Sequence, residues 1–132
     1  MGETTTQDYV DDSYVASATT ALIIAAALEV HRTLGPGFQE IIYQRALALE
    51  LPAHGIECER EVSIDVFYKG RRIGRRRVDF VAAGVMVELK AKAVIEDVDF
   101  VQALSYLKAS GFKIGLLLNF GGRRLEIRRL AN

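Results

Sequence analysis

The chain has 132 residues, half of them apolar, and its 17 basic and 17 acidic side chains cancel. It is long enough for one domain with a core, too short for a second catalytic domain, and lacks the overall positive charge of a general nucleic-acid coat. Cys58 is the only cysteine, which excludes an intrachain disulfide, and with only His31 and His54 beside it a soft-ligand zinc site has too few donors. The apolar run at residues 21–28 is too short to span a bilayer and follows acidic rather than basic residues. Neither a membrane span nor a signal peptide is therefore expected, and the expected compartment is the cytoplasm.

Residues 1–11 are polar, rich in Thr and Asp, and lack apolar periodicity, so a mobile tail is expected there and a single domain over 12–132. An Ala-rich run with Ile23, Ile24, Leu28, Val30 and Leu34 predicts a helix from about 12 to 34, apolar on most sides and so largely buried. Such a helix also offers an interface for a homodimer. Gly35-Pro36-Gly37 stops it, and His31 near its end reads as a packing or capping residue. A second helix is predicted from 38 or 39 to His54, with Ile41, Ile42, Leu47, Leu49 and Leu51 as its apolar contacts and Gly55 closing it. Glu40 and Tyr43 share a face of this helix. Two readings of Glu40 stay open: an acid well placed against the helix dipole, or a third carboxylate delivered to a metal.

Residues 59–68 alternate, with Val62, Ile64 and Val66 on one side and Ser63, Asp65 and Phe67 on the other, as a strand does. Lys69-Gly70 makes a tight turn into a return strand over 71–82. If that strand stays regular, Arg75 and Arg77 share the face of Asp79. Their guanidinium forks suit phosphate oxygens. The same arginines also fit a solvated edge strand guarded against aggregation by charge.

Ala83-Gly84 then separates two apolar runs and predicts a two-residue hairpin in which Ala82 pairs with Val85 and Asp79 falls opposite Glu88. Lys90 shares the face of Glu88, while Val85, Val87 and Leu89 point the other way. Like charges opposed on neighbouring strands destabilise a sheet unless something cationic lies between them. A hard divalent ion such as Mg²⁺, held by one or two carboxylates, is the simplest candidate. On spacing alone, a solvated surface strand fits as well.

A third helix is predicted over 97–110, opened by Glu96-Asp97 and ended by Gly111. Asp99, Gln102 and Tyr106 form its polar stripe and Phe100, Ala103, Leu104 and Leu107 its apolar one. Residues 113–119 read as a strand buried on both sides, and Gly121-Gly122 leads to a last strand over 125–130. The order ααβββαββ predicts a small α/β domain, a mixed sheet flanked by helices, with a crossover through the third helix.

With these residues laid out, the chain resembles the GxxExxY family, whose motif stands here as Gly37-Phe38-Gln39-Glu40-Ile41-Ile42-Tyr43, and through it the PD-(D/E)XK nuclease superfamily. The similarity runs over about 25–129 and includes Glu29-Val30-His31, Val87-Glu88-Leu89-Lys90, Ser105-Tyr106-Leu107-Lys108-Ala109 and Leu118-Asn119-Phe120-Gly121. The resemblance implies Asp79 and Glu88 as metal-binding acids, with the Leu89 carbonyl a further ligand. It implies Lys90 as the catalytic lysine, Glu40 as the first-helix acid, and Gln102 with Tyr106 as polar positions of the crossover helix. Arg75 and Arg77 are expected to contact a nucleic-acid backbone. The chain departs from the pattern at Val78, which stands where the superfamily's proline would be, and at Asp99, where many relatives carry histidine. The function implied is an Mg²⁺- or Mn²⁺-dependent nuclease acting on DNA. The alternatives are a catalytically inactive module that binds nucleic acid or protein, and a structural salt-bridge network around Lys90.

Overall fold

Two helices, α1 (Asp12–Leu34) and α2 (Glu40–Ala53), precede a meander of β1 (Cys58–Tyr68), β2 (Arg71–Ala82) and β3 (Val85–Lys90). Helix α3 (Asp97–Ser110) then crosses to β4 (Ile114–Asn119), and β5 (Glu126–Ala131) completes the sheet. The computed structural model describes residues 12–132, with side chains from Ala18 onward; the tail expected over 1–11 lies outside the described residues. The α/β class and the ααβββαββ order are those the sequence predicts. Among the described residues no helix is long and apolar enough to cross a membrane.

The five strands lie side by side in chain order. All neighbours are antiparallel except β3 and β4, which run parallel and therefore need the crossover that α3 supplies. Helices cover both faces of these central strands, which is why β4 is apolar without alternation and Leu116, Leu117 and Leu118 are all fully buried. On one face Phe80, Val87, Leu116 and Leu118 pack against Ile23, Ala27, Leu47 and Leu51 from α1 and α2. On the other, Val78, Met86 and Leu117 pack against Ala103 and Leu107 from α3.

Two apolar expectations are corrected. Helix α1 buries one side only, through Thr20, Ile23, Ala26, Ala27 and Val30, and leaves Leu22 and Leu28 about half exposed, at 45% and 49%. It lies in a single layer against α2 and the sheet, so its composition overstates its burial. Leu49 of α2 is 80% exposed, because Tyr43, Gln44, Leu47 and Leu51 are the residues that the helical period turns inward.

Polar staples hold the loops that carry the site. The Tyr43 hydroxyl donates to the Gly35 carbonyl at 2.6 Å and accepts the Phe38 N–H at 3.2 Å, tying the α1–α2 loop to α2. Its ring stacks on Phe120 at 4.9 Å between centroids. His31 packs beside Phe120 and its Nε2 meets the Gly122 carbonyl at 2.9 Å, the packing role expected of it.

Asn119 is fully buried and uses its whole hydrogen-bonding capacity. Its Oδ1 accepts the N–H groups of Lys92 (2.9 Å) and Gly121 (3.2 Å), and its Nδ2 donates to the Lys92 carbonyl (2.8 Å) and Glu126 (2.7 Å). The segment after β3 is thereby pinned to the end of β4. A Cβ on Gly121 would lie 2.3 Å from the Lys92 nitrogen, so only glycine permits this approach. Gly121→Ala is expected to destabilise the protein by about 1–3 kcal/mol in urea unfolding, the usual range of overpacking. Gly74→Ala, whose Cβ would meet nothing within 4 Å, is expected to change stability by less than about 0.5 kcal/mol.

Candidate functional site

The β2–β3 hairpin turns at Ala83-Gly84, both with positive φ (50° and 82°), as a two-residue turn of this kind requires. The register pairs Ala82 with Val85, Val81 with Met86 and Phe80 with Val87, and there the ladder ends. The next positions outward are Asp79 and Glu88, and their carboxylates replace the missing backbone partners. The Asp79 N–H donates to Glu88 Oε1 at 3.2 Å, and the Leu89 N–H donates to Asp79 Oδ2 at 2.8 Å. The acids occupy the opening that forms where β2 parts from β3.

At this point β2 also stops alternating. Phe80 and Ala82 pack on the α1/α2 face, whereas Val78, of the same parity, packs on the α3 face. In β1 the same inversion separates Cys58 from Val62 and Ile64, across Glu61, whose φ is 52°. Parity beyond Asp79 thus does not carry over, and the expectation that Arg75 and Arg77 share its face by regular alternation is corrected. Both arginines are exposed and engaged across the hairpin, Arg75 with Asp65 (3.3 Å) and Arg77 with Glu61 (2.9 Å).

Burial, followed by the hydrogen bond to and the negative charge of Asp79, pushes the Glu88 carboxyl up to about 9; the Asp79 N–H and Lys90 pull the other way. Desolvation and the nearby Asp79 charge thus disfavour ionisation of Glu88. Glu40, at the first turn of α2, keeps a solvent-accessible carboxylate. Partial burial first, and then the Asp79 charge, hold it above its ordinary value of 4.5, while Lys90 opposes the shift. Glu40 is thus within electrostatic reach of Asp79 and Lys90.

Lys90 lies on the same strand face as Glu88, and its Nζ is 4.0 Å from Asp99 Oδ1. Asp99, with a side chain only 8% exposed, also binds Lys92 at 2.8 Å and closes a capping box with Glu96 at the start of α3. The Lys92 ammonium, followed by the Glu96 N–H, keeps Asp99 below the ordinary carboxylate range. Its companions on the predicted stripe diverge from it. Gln102 is exposed, and Tyr106 is half-buried against the cluster of Met86 and Leu107. The Leu89 side chain is buried in the α1/α2 core, and only its backbone faces the acids.

Sequence reasoning missed Gln44. Its Nε2 donates to Asp79 Oδ1 at 3.0 Å, and its Oε1 accepts from Arg60 at 2.8 Å. A guanidinium only donates and a carboxylate only accepts, so the amide between them has one satisfying orientation. Gln44 lies four residues after Glu40, a helical spacing that would have placed it on the same side. Arg60 carried no such signal.

Among the described residues no three His, Cys, Asp or Glu side chains gather closely enough to enclose a metal by themselves. Glu40 therefore does not complete a three-acid cluster with Asp79 and Glu88. Two carboxylates still fit a hard divalent ion, which commonly takes one or two of them and fills its shell with water and substrate oxygens.

A family model of the PD-(D/E)XK nuclease superfamily matches residues 17–130. The chain belongs to this superfamily. Its triplet Glu88-Leu89-Lys90 has the letters of the (D/E)XK signature, with Val78 in place of the proline before Asp79. Among solved structures, the one titled "Crystal structure of SSO0001" has a similar fold, with a TM-score of 0.54 at 17% identity over 69% of this chain. This chain spans 48% of that protein's length. No match was found among curated proteins.

The raised Glu88 carboxyl contributes to the pH response of this PD-(D/E)XK domain. A carboxyl whose folded value exceeds its unfolded one contributes stability that is complete below the ordinary 4.5 and is lost as pH climbs towards about 9. In chelator, scanning fluorimetry of the wild type should show Tm falling from about pH 5 to about pH 9, and Glu88→Gln should flatten that fall. Asp99 acts with the opposite sign: its contribution is present above 3.8 and lost as pH falls below it, so Asp99→Asn should flatten the acid limb.

Proposed function

We propose that this protein is an Mg²⁺- or Mn²⁺-dependent nuclease that hydrolyses phosphodiester bonds in DNA, with Asp79, Glu88 and Lys90 at its catalytic centre. The observation that carries this reading is the Asp79/Glu88 carboxyl pair, set where β2 parts from β3, with Lys90 on the same face two residues on. The carboxylates cap the end of the ladder, but two acids so close repel one another and are partly desolvated, a cost that a cation between them would offset. Membership of a nuclease superfamily supplies the substrate class, nucleic acid. The finer likeness to the GxxExxY family rests on residues 37–43.

Asp79 and Glu88, with the Leu89 carbonyl, would hold the ion, and Glu40 would act on it through water. Bound there, a divalent ion lowers the pKa of water and polarises the phosphate. Gln44, anchored by Arg60, orients the Asp79 carboxylate. Lys90 places a positive charge where it can orient the nucleophile or bind a non-bridging oxygen as charge accumulates. Gln102 and Tyr106 fit a role in positioning water or phosphate rather than in proton transfer. Arg75 and Arg77 would exchange their carboxylate partners for backbone phosphates, giving affinity without sequence choice.

Incubated with Mg²⁺ and plasmid, linear or branched DNA, the wild type should cleave, and Glu88→Ala and Lys90→Ala should each slow cleavage by about 10²–10³-fold. Cleavage that survives both substitutions unchanged overturns the assignment. By calorimetry Gln44→Ala should weaken Mg²⁺ binding by about 10–100-fold. If the wild type binds no Mg²⁺ or Mn²⁺ through Asp79 and Glu88, the chain is instead a binding module that keeps the nuclease fold.

A further inference from the structure

The β1–β2 hairpin continues well past the point where β2 parts from β3. Its pairing runs on from Val62 and Val78 to Tyr68 and Arg71, so at about 3.3 Å per residue the Lys69-Gly70 turn stands roughly 30 Å along β2 from Asp79. Ile64 and Val78 anchor the near half of this arm against α3. The far half turns its large apolar side chains outward: Phe67 is 60% exposed, Tyr68 60% and Ile73 66%.

The same segment is strongly basic. Residues 65–77 contain Lys69, Arg71, Arg72, Arg75, Arg76 and Arg77 against one carboxylate, Asp65. Asp65 meets both Arg72 (3.6 Å) and Arg75 (3.3 Å), and among the described residues Lys69, Arg71 and Arg76 pair with no acid. The register interleaves the two chemistries. Phe67 lies opposite Arg72 and Tyr68 opposite Arg71. Adjacent pairs point to opposite faces, so each face of the tip carries one aromatic ring beside one guanidinium. Val66 pairs with Gly74 and Phe67 with Arg72, which leaves Ile73 as the extra residue of a bulge, turned out of the ladder.

An aromatic ring flanked by guanidinium matches an exposed base with its phosphate. Stacking needs an unpaired base, since a blunt duplex keeps its base faces inside. A lipid surface fits less well, because membrane-bound elements gather their apolar groups on one side. A second copy of the tip would bring like charges together. We infer that the hairpin tip is a stacking element for unpaired nucleotides, with Arg75 and Arg77, on one face of β2, contacting the phosphates between the tip and the base of the arm. The substrate class is then nucleic acid with a single-stranded segment, an overhang or a fork, rather than blunt duplex. This rests on the nuclease reading for the arrival of nucleic acid at the arm.

The test is fluorescence anisotropy in chelator, where no cleavage occurs, on labelled single-stranded, forked and blunt-duplex DNA. The proteins compared are wild type, the Phe67→Ala/Tyr68→Ala double variant, and the Arg75→Ala/Arg77→Ala double variant. The tip variant should bind single-stranded and forked DNA at least tenfold more weakly and blunt duplex within twofold of wild type. The arginine variant should weaken all three. A 2-aminopurine in the unpaired segment should be quenched by wild type and not by the tip variant. Equal binding of all DNAs by wild type and tip variant overturns the inference, as does equal loss on blunt duplex. It is overturned too if the tip variant instead abolishes binding to anionic vesicles or concentration-dependent dimerisation in sedimentation. Because the tip side chains are exposed, an unchanged Tm confirms that the variant is folded. Binding without Mg²⁺-dependent cleavage would overturn the nuclease reading alone; cleavage with an unchanged tip variant would overturn the tip alone.

Discussion

Where β2 leaves β3, the protein exchanges backbone hydrogen bonds for side-chain ones, and the rest of the molecule is arranged around that exchange. A strand that departs from its neighbour exposes N–H groups that must find acceptors. Here the Asp79 carboxylate takes the Leu89 N–H and the Glu88 carboxylate takes that of Asp79. The substitution seals the ladder's end and concentrates two acids in a half-buried opening. Desolvation and the neighbouring Asp79 charge raise the Glu88 carboxyl above its ordinary value. The opening is sustained by the inversion of side-chain alternation at Asp79 and Glu61, which lets the near sheet face α1 and α2 while the arm faces α3.

Holding such a pair still requires support from several directions, and the sequence supplies it from distant segments. Arg60 and Gln44 steer Asp79 from β1 and α2. Lys92 and Asp99 fasten the start of α3 beside Lys90. Asn119 and Gly121 pin the connecting segment to β4, and Tyr43 with Phe120 braces the loop before α2, from which Glu40 emerges. Several residues of the family-like motifs thus serve as braces: Tyr43, Asn119 and Gly121 act on the loops around the carboxylates rather than on the carboxylates themselves.

Charge is divided along the length of the β1–β2 hairpin although the whole chain is neutral. Its base holds Asp79, beside Glu88 of β3, and its distal half the arginines, with Glu61 and Asp65 spacing the positive groups between. Ion pairs so exposed add little stability.

Periodicity and turn chemistry in the sequence determined the element order, the two tight turns at Lys69-Gly70 and Ala83-Gly84, and the hairpin register that brings Asp79 level with Glu88. These are local properties: a two-residue turn leaves one register, and a period of two or 3.6 residues is written in neighbouring positions. Tertiary structure alone decided that the ladder stops one pair short of the acids, that β2 inverts its faces at Asp79, and that Leu22 and Leu28 stay about half exposed and Leu49 largely so. It also decided that Gln44 and Arg60 reach Asp79 and that Asp99 lies beside Lys90. Those outcomes depend on which segments, far apart in the chain, come to lie against one another, and no local spacing encodes that.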